Sequence, residues 1–283
     1  MEVTNTSLYI TPVTCHMCGE KHIPFWSLQR RTMVTDSNIF GIYQYKKALA
    51  GKEHCNYNLV RVTICPNCYF ASGHTNDFIS ESSIKKDLPE PFNKEPIVEK
   101  WLASIPKRYT LIEPYLEGLF GEMRSPRQAL LSYDLAILSC SAIMKVEEAK
   151  SEKARNYAIG VKSAFYMLIK AELLMGYKKG EAADKLAKSA LAKLTKIYPY
   201  LQREHSVKAG FLTGMLGLYF DIPKVVGQSY SFLQEYDKLN KVRLGTDEHK
   251  VLVSSKKKFT EAYQSRAEFS RQNLKGFNKP FEF

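Results

Sequence analysis

Two Cys-x-x-Cys pairs stand out: Cys15-His16-Met17-Cys18 followed by Gly19, and Cys65-Pro66-Asn67-Cys68. Two intervening residues let one tight turn aim both sulfurs at a single ion at about 2.3 Å, with backbone N–H groups turned toward the thiolates. Two such turns supply four soft ligands, a set that suits tetrahedral zinc. Cys15, Cys18, Cys65 and Cys68 are therefore the predicted metal ligands. A single iron ion held for electron transfer is the chemical runner-up, because it takes the same ligands. Disulfides within each pair are the remaining alternative. With all four positions filled by thiolates the site is closed, which implies a structural zinc and not one that activates water. Pro66 pre-sets its turn, and Gly19 supplies a residue at ease with a positive φ. His16, His22, His54, Cys55 and His74 lie close enough along the chain to replace or orient a ligand, Cys55 being the best placed. Cys140, on an apolar helical stripe, reads as a small core residue.

The elements that must carry these turns differ between the two ends of the chain. Residues 13–80 hold short alternating apolar runs, such as Leu59-Val60-Arg61-Val62-Thr63-Ile64, which reads as a strand leading into Cys65. A second strand is expected over 30–35, and a short helix over Tyr43 to Ala50. So few apolar residues lie here that an ion is expected to be needed for folding. The segment 87–96, DLPEPFNKEP, has three prolines and is the expected linker. Short helices are then expected over 97–104 and about 109–123.

From residue 125 the apolar spacing becomes helical. Ser125-Pro126-Arg127-Gln128 combines an N-cap, a proline at the first helical position and a capping box. Helices are predicted over about 152–175, 180–197, 205–219, 223–241 and 247–272. Ala171, Leu174, Ala183, Ala187 and Ala190 fall where tetratricopeptide hairpins place small residues so that two helices can approach closely. A weaker copy runs through Gly217, Phe220, Ser229, Leu233 and Tyr236.

Thr14 to Gly19, Arg30-Arg31, Thr35-Asp36-Ser37, Ile64 to Cys68, Ala71 and Asp77-Phe78 together resemble an uncharacterised bacterial family, a domain of unknown function. The resemblance implies a zinc-ribbon-like N-terminal part joined to a tetratricopeptide-like helical remainder. It imports no reaction. One departure is that the family pattern has glycine after the fourth cysteine, where this chain has Tyr69. The expected fold is α+β: a small metal-bound, β-rich, zinc-ribbon-like module over 1–86, a proline-rich linker over 87–96, and a larger all-α helical-hairpin domain over 97–283.

Of the 283 residues, 45% are hydrophobic, enough for a real core. The formal net charge is +12; residues 1–90 hold 9 Lys/Arg against 8 Asp/Glu, and the rest hold 32 against 21. The basic excess thus sits in the helical part. The start MEVTNTSLYITPV has neither a basic stretch nor a continuous apolar run, and no run of about 18 apolar residues follows, so neither export nor a membrane span is expected. That favours the cytoplasm, where thiols stay reduced. No G-x-S-x-G, H-E-x-x-H, Walker A or G-x-G-x-x-G motif occurs, and Asp134, Glu147 and Glu148 are isolated helical carboxylates. The expected function is a non-enzymatic, zinc-stabilised interaction scaffold that binds a protein partner or itself. The alternative is a nucleic-acid-binding or transcription-associated protein that uses its basic surface, Lys256-Lys257-Lys258 and Arg30-Arg31 included. An enzyme is the least favoured class.

Overall fold

A computed structural model describes residues 7–29, 31–49, 51–80, 96–149, 153–201 and 203–265. Most of the proline-rich segment and the end of the last predicted helix lie outside the described residues, as does Arg30. The chain forms two compact units, one of Met1–Ser37 with Tyr43–Val146, the other of Asn38–Ile42 with Glu147–Phe283. The architecture is α+β: small antiparallel sheets toward the N-terminus and helices over most of the rest. The units part at 146/147, within a helix, whereas the sequence-derived boundary lies in the proline-rich segment.

In the first unit, β1 (Leu8–Thr14) pairs antiparallel with β2 (Ile23–Leu28), from Leu8↔Leu28 to Val13↔Ile23. β7 (Ile79–Ser80) joins the other edge of β1 at Val13 and Thr14. Because side chains alternate across a strand, the pair has two working faces. Val13, Ile23 and Phe25 enter the core that holds the cysteines. Leu8, Ile10, Trp26 and Leu28 turn into a second cluster with Val60 and Cys55.

β3 (Met33–Ser37) and β4 (Tyr43–Ala48) form a separate hairpin with an irregular register at Val34/Thr35. The helix expected from Tyr43 is thus a strand. Pairing with β3 decides the conformation there, as tertiary context commonly overrides weak local preference. Leu59 and Val60 do not extend the strand into Cys65. Asn56 caps Asn58 N, and the short helix α1 (Tyr57–Val60) results, leaving β5 (Thr63–Ile64) to pair with β6 (Ala71–Ser72).

α2 (Pro96–Ala103) follows, then α3 (Ile105–Ile112), with Pro106 in its first turn rather than ending a helix. A helix to 123 does not form; one 3-10 turn, Glu113–Tyr115, leads into turns. α4 (Pro126–Ala149) begins with the expected reciprocal cap: Ser125 N donates to Gln128 Oε1 at 2.7 Å, and Gln128 N donates to Ser125 Oγ at 3.4 Å. Its N-terminal part belongs to the first unit. Tyr133 Oη donates to the Asn58 carbonyl at 2.8 Å, and the Ala71 amide donates to Ser139 Oγ at 2.9 Å.

The second unit holds α5 (Lys153–Gly176), α6 (Gly180–Ile197), α7 (Arg203–Tyr219), α8 (Pro223–Asn240) and α9 (Asp247–Gln264). α5 packs on α6, and α7 packs on both α8 and α9. Ala183, Ala187, Ala190, Leu194 and Ile197 of α6 are buried, while Lys185, Lys188 and Lys196 are exposed, as the periodicity predicts. Asn38–Ile42, the turn between β3 and β4, also belongs to this unit. Asn38 Nδ2 donates to Glu172 Oε2 at 2.8 Å, and the Phe40 ring meets that of Tyr219 edge-on at 5.9 Å.

α7 has almost no apolar sidedness because both its flanks are covered. Gly210, Gly214 and Gly217 make that possible. A Cβ at Gly214 would lie 2.5 Å from the Phe259 ring, and one at Gly210 would lie 2.6 Å from the Phe232 ring. Gly214→Ala is expected to lower stability by about 1–2 kcal/mol, overpacking outweighing the gain in helix propensity. Gly227→Ala, where an added Cβ meets nothing within 4 Å, is expected to raise it by about 0.5–1 kcal/mol. Denaturant unfolding of both variants checks the opposite signs.

Candidate metal centre

Cys15 follows β1 directly, and Cys65 follows β5. The two turns are built alike. Cys15 N donates to the Glu20 carbonyl at 2.8 Å and Gly19 N to the Cys15 carbonyl at 3.0 Å; Cys65 N donates to the Phe70 carbonyl at 2.8 Å and Tyr69 N to the Cys65 carbonyl at 2.9 Å. Gly19 has φ +76° and Tyr69 has φ +60°. Tyr69 thus occupies the left-handed position that glycine fills in the first turn, and the second turn is not rearranged to avoid it. Its side chain is buried.

The four predicted ligands come together. Their sulfurs all lie within 4.8 Å of one another, and the cluster contains no histidine or carboxylate. Cys15 Sγ is 3.6 Å from Cys68 Sγ, and Cys18 Sγ is 3.5 Å from Cys65 Sγ, so sulfurs of the two turns meet. A tetrahedral ion with bonds of about 2.3 Å sets its sulfurs about 3.8 Å apart, whereas a disulfide requires about 2.0 Å. The separations fit the first and exclude the second; all six cysteines are free. Cys15, Cys65 and Cys68 are buried, and Cys18 is half-buried. Hydrogen bonds from the other three thiols, Cys18 first, push the Cys15 pKa far up, with burial adding to this. The same bonds, led by Cys15, pull Cys18 far down. Four sulfurs this close cannot all be charged alone, and a bound cation is the arrangement that lets them be.

Of the alternative ligands, His16 sits in the first turn without joining the cluster, and the others lie elsewhere. Cys55 packs in the second cluster, and burial pushes its pKa up to about 11. His54 Nε2 lies 2.9 Å from the Tyr45 carbonyl, His74 precedes the 3-10 turn Thr75–Asp77, and His22 is exposed. Cys140 is a buried helical residue, as its stripe predicts.

What the sequence did not disclose is the wall behind the cysteines. Val98 and Trp101 of α2 complete the buried core around them, with Leu102, Ile105, Ala142 and Ile143 packed against it. Phe70 meets both Phe78 and Trp101 edge-on, at 5.5 and 6.3 Å. Arg108 of α3 is buried: its Nε and Nη2 donate to the Cys68 carbonyl at 3.2 and 3.0 Å, and Nη2 also reaches the Trp101 carbonyl at 2.6 Å. No local motif marks a residue that meets its partner 40 positions away in sequence.

Comparison with family models, with curated proteins and with solved structures gives no match. Among the described residues, no helix is long and apolar enough to cross a membrane.

Two outcomes are expected. Cys65→Ser should abolish metal retention and loosen α2 and α3 along with residues 13–80, because they share one core; elemental analysis and limited proteolysis read both effects. Gly19→Ala, whose Cβ would meet nothing within 4 Å, should lower the stability of the metal-loaded protein by about 1–2 kcal/mol through backbone strain alone.

Proposed function

We propose that Cys15, Cys18, Cys65 and Cys68 hold a structural zinc ion in a zinc-ribbon-like module, and that the protein is a non-enzymatic interaction scaffold. In this reading the second unit binds a protein partner, or a second copy, through tetratricopeptide-like hairpins. The observation that carries it is the convergence of four thiols, three of them buried, in a cluster without any other ligand type. Such a set is saturated by protein, so a bound zinc supplies cross-linking and not a site for water or substrate. Support for the hairpins comes from Ala171, Ala183, Ala187 and Ala190, all fully buried, and from the short link between α5 and α6. Reduced thiols at the centre are in keeping with a cytoplasmic setting.

Charge favours a second reading, nucleic-acid binding. The net charge is +12, and most of the excess follows residue 90. The basic residues are spread over several helices, and some are already engaged: Lys256 pairs with Asp237 at 3.1 Å, and Lys250 with Asp247 at 3.2 Å. That dispersal ranks the scaffold first.

Purified, reduced protein should carry close to one zinc per chain by mass spectrometry; protein with neither zinc nor iron would end the structural-zinc reading. Titration with DNA and RNA across a salt series separates the two functions. Weak binding is expected, and tight binding with a steep salt slope would replace the scaffold by the nucleic-acid reading.

A further inference from the structure

We propose that Arg108 is the resident counter-cation of the cysteine centre and sets its affinity for metal. The inference rests on the reading of the four cysteines as a metal centre. A divalent ion held by four thiolates leaves two uncompensated negative charges. In a buried setting such charge is costly unless an opposite charge and hydrogen-bond donors lie close by.

Arg108 supplies the opposite charge beside the second turn, its donors going to that turn's backbone and not to sulfur. It is 3% exposed, and its guanidinium lies 3.8 Å from the centroid of the Trp101 ring. Its donors go to the Cys68 and Trp101 carbonyls and, at 2.5 Å, to Ser104 Oγ, all of them neutral acceptors. Burial is the largest influence on its pKa and lowers it, Cys68 and Tyr69 act the other way, and among the described residues no carboxylate pairs with it. A buried guanidinium with neutral acceptors alone is as unusual as a buried thiolate cluster without a cation. Each supplies what the other lacks. The fork on the Cys68 carbonyl also holds the second turn against α2, so charge compensation and ligand placement come from one residue.

The first measurement is the binding of cobalt(II) and zinc(II) to the wild-type chain. Absence of binding would overturn the metal-centre reading itself. Given binding, Arg108→Gln should weaken it by about 10- to 100-fold, the usual effect of removing a group that supports metal ligands. Arg108→Lys, which keeps the charge without the fork, should recover most of the loss. In iron-substituted protein, Arg108→Gln should lower the reduction potential, because losing a nearby positive charge favours the ferric state. Unchanged affinity in Arg108→Gln, or a lysine variant as weak as the glutamine one, would overturn the counter-cation role and leave the metal centre standing. Should Arg108→Gln fail to fold, the wild type still decides. The Arg108 Nε–H resonance should move and its exchange should slow when zinc is added to the apoprotein, and an unmoved resonance would overturn the role.

Discussion

The first unit depends on bringing two short turns to one point although Cys18 and Cys65 stand 47 positions apart. Closing a loop of that length costs chain entropy that grows only slowly with length, but short strands cannot meet that cost alone. β5 and β6 pair through two residues each, and β7 touches β1 through two. Isolated ladders of this size are marginal in water. What steadies them is a shared apolar core, with the cysteines at its centre and Phe25, Phe70, Phe78 and Trp101 around them. The cluster is therefore both a ligand set and the innermost layer of packing.

That core also explains where the first unit ends. Most of this core comes from residues 13–78, but they do not close it alone. It recruits α2, α3 and the start of α4, and polar contacts seal the junction. Ser139 Oγ takes the Ala71 amide, and Arg124 Nη1 donates to the Val62 carbonyl at 2.5 Å. Both satisfy buried backbone groups at the ends of the small β5–β6 ladder, groups that would be costly if left unmade. The helices after the proline-rich segment are thus divided by what they bury and not by where the prolines fall.

Legibility followed the range of the interaction. The ligand set, the capping box at Ser125 and Gln128, and the buried stripe of α6 are local patterns, and each appears where its spacing places it. Elements set by more than apolar spacing differ from the expectation. Tyr43–Ala48 is a strand because β3 lies beside it, and Leu59–Val60 turn helical on the local Asn56 cap, which the apolar alternation masks. α2 ends at Ala103, before Pro106, and Pro106 itself sits in the first turn of α3, where a proline is at home. Arg108 was invisible: a lone arginine on a short amphipathic helix carries no sign that its fork will meet Cys68. The glycines of α7 also gained meaning only once Phe232 and Phe259 were seen to occupy the space that side chains at those positions would fill.

Tyr69 joins these points. A non-glycine residue in the left-handed region costs about 1–2 kcal/mol, and the matching hydrogen bonds of the two turns show that the cost is accepted and not avoided. Two terms offset it. Burial of the tyrosine ring contributes at the same site. The zinc ion proposed for the four thiolates would contribute about 10–16 kcal/mol of apparent binding free energy near neutral pH. A turn coupled to a term of that size tolerates strain that would destabilise an unliganded loop. The second turn therefore keeps the geometry its cysteines need, leaving the residue after Cys68 free to serve packing instead of backbone ease.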